Sequence, residues 1–137
     1  MSMLSAHEAM IFLMVITSAS DRDMTDAELT RIGQVVRTWP VFQDFGEDRL
    51  IEVAQACQRR LHEPEGLEGV LKAARRAIPE RLHDTAYAAA FEVAVVDLEM
   101  RFEEVRVLQL LRRHLDVDPL TVAAIERATK ARYRTLT

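Results

Sequence analysis

Four carboxylates fall within eight positions in the stretch SASDRDMTDAEL, residues 18–29: Asp21, Asp23, Asp26 and Glu28. Two acids one residue apart on an extended turn point to the same side, and a Glu in the first turn of the following helix can fold back toward them. Three carboxylates meeting in this way suit a hard divalent cation, Ca²⁺ or Mg²⁺, completed by carbonyl oxygens and water. The order is not that of an EF-hand: Arg22 and Asp26 break the ligand-and-glycine pattern, and the twelfth position counted from Asp21 is Ile32. A second explanation needs no ligand. The exposed N–H groups of a helix start carry partial positive charge and favour acids on their own.

The chain repeats the arrangement. A shift of 76 positions carries Asp21 to Asp97, Asp23 to Glu99, Met24 to Met100 and Glu28 to Glu104. The same shift sets Val15 on Phe91, Ile32 on Leu108, Val35 on Leu111 and Trp39 on Leu115. In both copies a buried apolar helix ends in Asp-x-acid-Met, and an amphipathic helix follows. Thr25 and Glu28 have capping-box spacing, which accounts for Glu28 structurally. In the second copy the position of Thr25 is taken by Arg101, yet Glu104 is retained. The candidate metal ligands are therefore Asp21, Asp23, Glu28, Asp97, Glu99 and Glu104.

These residues need helices to position them, and helices are what the chain offers. Its 137 residues suit one domain, with few Gly and Pro and an abundance of Ala, Leu, Val, Glu and Arg. Ser5 and Glu8 predict a capped start for a first helix through AMIFLMVITS, apolar on every side. Thr25 opens a second, with Leu29, Ile32, Val35, Val36 and Trp39 in one stripe, and Pro40 ends it. GEDRLIEVAQACQRRLH and LEGVLKAARRAI give the third and fourth, and ERLHDTAYAAAFEVAVVDL a long fifth. EEVRVLQLLRRHL predicts a sixth with Val105, Leu108, Leu111 and Leu115 inward. Asp118 and Pro119 start a seventh that runs to about Arg132. The expected architecture is an all-α single domain over residues 1–137, of about seven helices in two pseudo-symmetric halves, roughly 5–62 and 80–132.

Composition narrows the function classes. A net charge of −4 gives no overall basic field for nucleic acid. The single cysteine, Cys57, rules out an intramolecular disulfide and a multi-cysteine zinc site, and its place on an apolar helix face reads as core. The first apolar run lacks a basic leader, follows His7 and Glu8 directly and is too short to span a bilayer, so a cytoplasmic protein is expected. No phosphate loop, nucleophile elbow or His-Glu-x-x-His occurs, and no small-molecule substrate is evident. His62, His83-Asp84 and Asp116 have the ligand order of helical metal phosphohydrolases, an alternative in which those four residues would be the site. Glu80-x-x-His83 has the spacing of one half of a di-iron carboxylate motif, without a second such pair. Glu92 stands in an apolar run at a position matched by Ile16, so it needs a surface or a cationic partner. The terminal RATKARYR suits a solvated helix end or an acidic partner.

On TSASDRDMTDAELTRI and AVVDLEMRFEEVRVLQLL the chain resembles the TerB-like family of tellurite-resistance domains, whose halves each carry an apolar helix followed by Asp and a Glu farther on. Arg22 and Leu98 stand where that pattern has Gly. The resemblance implies a non-enzymatic bacterial protein of tellurite or metal stress, sensing or binding a metal near the inner membrane. It would be cytoplasmic or peripheral at that membrane, with a protein partner and no nucleic acid. Exposed apolar positions would support a homodimer. A helical interaction module whose acids only start helices is the competing expectation.

Overall fold

The computed structural model describes residues 3–19, 24–95 and 102–137. Among them are seven α-helices and no strand: α1 Ala6–Ala19, α2 Asp26–Thr38, α3 Leu50–Leu61, α4 Gly66–Ala77, α5 His83–Ala94, α6 Phe102–His114 and α7 Pro119–Arg132. No helix among these residues is long and apolar enough to cross a membrane.

The two most apolar helices form the centre. Every side chain from Ala9 to Ile16 in α1 is withdrawn from solvent, each large one contributing roughly 1.5–3 kcal/mol. Its start is fixed by a capping box: Ser5 Oγ accepts from the Glu8 N–H at 3.1 Å, and Glu8 Oε1 accepts from the Ser5 N–H at 2.8 Å. α1 packs most extensively on α5, where Ala86, Ala89, Ala90 and Ala94 are buried beside Tyr87 and Phe91. Small residues let two helix axes approach, and the aromatics fill what remains.

The other helices lean on this pair. α3 and α4 pack on α1, whereas α2 and α6 each touch both central helices. The loop after α2 is drawn onto the start of α1 by His7, whose Nε2 lies 2.7 Å from the Val41 carbonyl oxygen. Arg49 donates to Glu8 at 3.0 Å and sits over the Phe45 ring. Residue bounds follow the local signals. Trp39 leaves the helical region before Pro40, and Ile78 does so before Pro79. Asp118 Oδ1 and Oδ2 accept from the Leu120 and Thr121 N–H groups, capping α7.

Two expectations need correction. Val105 is exposed; α6 turns Val107, Leu108 and Leu111 to the core, and Leu115, just after it, is buried as well. Both valines lie beside Leu108 and Leu111 on the helical wheel, and packing against α1 and α5 selects the other flank. The fifth helix begins later than expected, because Glu80–Leu82 form a 3₁₀ turn before α5. The repeat has a structural counterpart: the bounds of α2, 26 and 38, shifted by 76, fall on 102 and 114, the bounds of α6.

Candidate functional site

Of the six candidate ligands, Glu28 and Glu104 lie among the described residues; Asp21, Asp23, Asp97 and Glu99 lie outside them. Glu28 is the third residue of α2 and is buried. Thr25, in the extended region, accepts from the Glu28 N–H at 3.2 Å, and Glu28 Oε1 accepts from the Thr25 N–H at 2.9 Å. The expected capping box is therefore formed. Glu104 is the third residue of α6 and is half-buried. Thr17 and Ser18, just before the first turn, are also buried, with Thr17 Oγ1 donating to the Leu13 carbonyl at 2.8 Å.

Among the described residues no three of His, Cys, Asp and Glu gather closely enough to hold a metal. Softer ligands are committed elsewhere. Cys57 is fully buried with its Sγ toward the Phe12 carbonyl oxygen, and burial pushes its thiol up to about 12, so no thiolate forms at neutral pH. His7 faces Val41, and His114 Nε2 lies 3.3 Å from Glu68.

The phosphohydrolase set comes together only in part. A cleft of 490 Å³ between the α4–α5 junction and the α6–α7 turn is lined by His83, Asp84 and Asp116, with Arg75 and Arg81. His62 is not in its lining; it ends α3. The His83 ring is held at both nitrogens: Nδ1 is 2.9 Å from the Leu115 carbonyl oxygen and Nε2 is 2.9 Å from that of Ile78. Both ring nitrogens are thus taken up by backbone carbonyl oxygens. His83 instead ties together the C-terminal ends of α4 and α6, while Asp84 Oδ1 accepts from the Thr85 N–H at 2.7 Å.

Glu92 does find its cationic partner. Its Oε1 accepts from Arg132 at 2.5 Å, and its Oε2 accepts from the Tyr133 hydroxyl. A second bond of the same kind runs the other way, with the Tyr87 hydroxyl of α5 donating to Glu126 of α7 at 2.6 Å. Arg112 stands 3.6 Å from Glu126. Burial, reinforced by the neighbouring carboxylates, raises both phenols, Tyr133 to about 12. Neither tyrosine is singled out by its spacing. The available signal was Glu92 itself, a charge in an apolar helix that required a donor from a distant part of the chain.

Two comparisons return nothing: no curated protein and no solved structure matches the chain significantly. The family model described as Tellurite resistance protein TerB matches residues 7–127, from the start of α1 into α7. The match takes in both acidic turns and the helices on either side of each, and with that extent the chain belongs to the TerB family.

Proposed function

We propose that this protein acts without catalysis in a response to tellurite or metal stress, by holding a divalent cation through its duplicated acids. Asp21, Asp23 and Glu28 would supply carboxylate oxygens in the first half, and Asp97, Glu99 and Glu104 in the second. Bound there, Ca²⁺ or Mg²⁺ would neutralise the clustered charge and tie each turn to the helix that follows. The observation that carries this reading is the matched place of Glu28 and Glu104, each third in its helix, when only the first has a threonine before it to explain it as a cap. A change in the turns would then be read by a protein partner, in the cytoplasm or at the inner face of the membrane. Exposed Ile51 and Leu120 are apolar positions suited to such a contact or to a homodimer.

A second reading has its own support. The capping box of Glu28 is complete, as a purely structural acid requires, and an interaction module would need no more from it. Thermal unfolding of metal-stripped protein, titrated with Ca²⁺, Mg²⁺, Mn²⁺ and Zn²⁺, separates the two. A ligand that binds the native state alone stabilises it by about 2.7 kcal/mol at a hundred times its Kd. A melting temperature that climbs with Ca²⁺ or Mg²⁺ is the expected result. A flat response to all four ions would leave the interaction module.

A further inference from the structure

We propose that α7 is a detachable cover over α5, opening as a unit while the rest of the fold stays closed. Its seam carries few buried apolar side chains of its own. Among its residues only Val122 and Thr129 are buried, with Thr121, Ile125 and Glu126 half-buried, whereas α5 buries Ala86, Tyr87, Ala89, Ala90, Phe91 and Val93. Its main neighbour is α5 alone. What fixes it there is polar and reciprocal. Tyr87 of α5 donates to Glu126 of α7, and Tyr133, directly after α7, donates to Glu92 of α5. An arginine stands at each carboxylate, Arg112 at Glu126 and Arg132 at Glu92.

Such a seam differs from an apolar one in what happens when it parts. Apolar surface released to water costs free energy in proportion to its area. Carboxylates, phenols and guanidinium groups exchange protein hydrogen bonds for hydrogen bonds to water, so the net cost of parting them is a fraction of their gross strength. This is the composition of interfaces that come apart and re-form. Glu92 strengthens the case. Its counterpart in the first half is Ile16, which is fully buried against protein. The second half has exchanged that apolar contact for a carboxylate satisfied by the end of α7. Arg132 and Tyr133 also lie beyond residues 7–127, so this bond stands outside the family match. Beside it a gap of 160 Å³ between α2 and α5 is lined by Val35, Trp39, Glu92, Val93 and Tyr133, and departure of α7 would lengthen it into a groove along α5.

Residue-resolved hydrogen exchange on the full chain tests the cover. The expected result is one shared opening for the amides from Val122 to Tyr133, at least a hundredfold more frequent than that of α1. Glu92→Gln should raise exchange in α7 about tenfold, as a charge-assisted bond becomes an ordinary one, with α1 unchanged; Tyr133→Phe should act in the same direction. A smooth gradient rising from Val122 to Tyr133 would mean end fraying and overturn the proposal. So would an α7 as protected as α1, or variants that speed exchange equally throughout. A Glu92→Gln chain that fails to fold would also count against it, since the bond would then support the body of the protein.

Discussion

Glu28 and Glu104 stand at the same place in two helices, the third residue of α2 and the third of α6, and Thr25 caps the first where Arg101 precedes the second. A cap explains one member of the pair, and an oxygen-ligated cation would explain both. The two explanations predict different consequences when the cap is removed.

Thr25→Ala deletes the hydroxyl that accepts from the Glu28 N–H and should cost about 1 kcal/mol, read as a lower melting temperature. The increment added by Ca²⁺ or Mg²⁺ should survive, because Thr25 is not among the proposed ligands. An increment that vanishes with the hydroxyl would make Thr25 part of the site and contradict the proposed ligand set.

His83→Ala should be far more damaging. Its ring serves the carbonyl oxygens of Ile78 and Leu115, the ends of α4 and α6. A neutral ring donates to one of them and a protonated ring to both. Buried acceptors left without a donor cost roughly 1–3 kcal/mol each. Denaturant unfolding should therefore show a loss of roughly 2–4 kcal/mol, and a loss below about 0.5 kcal/mol would contradict the clamp.

Asp116→Gly should stabilise the protein. Asp116 has φ of 52° at the end of α6. The Val117 N–H reaches back to the Arg112 carbonyl and the Asp116 N–H to that of Arg113, the pattern of a helix end that prefers glycine at this position. Relief of the left-handed strain should add about 1 kcal/mol, measurable in the same unfolding experiment.

Alkaline stability should depend on Tyr133. Burial, then the bond to Glu92, raises its phenol from 10 to about 12. The folded protein keeps the proton longer than the unfolded chain does. The contribution is therefore complete below pH 10 and lost as the pH climbs from 10 toward about 12. Between pH 9 and 11.5 the wild type should lose more stability than Tyr133→Phe. Equal losses would remove the phenol from the account.

Most helix bounds were legible because they rest on neighbours in sequence. Ser5 with Glu8, Thr25 with Glu28 and Asp118 with Pro119 each specify a helix start within four residues. Val105 was misread because both it and Val107 complete an apolar stripe with Leu108 and Leu111, and the choice between them depends on how α6 sits against α1 and α5. Glu92 announced that it needed a donor, but its partners lie forty residues on, and no local pattern names them. The acids were legible as residues and as a repeat. Whether their oxygens converge depends on the turn backbone, which a pattern of residue types does not specify.

The proposed cation is tested most directly by calorimetric titration of Ca²⁺ and Mg²⁺ into the metal-stripped wild type and an Asp21→Asn/Asp97→Asn double variant. The account predicts saturable binding of one or both ions in the wild type and none in a variant that remains folded. No binding to the wild type, or equal binding to both proteins, would contradict it.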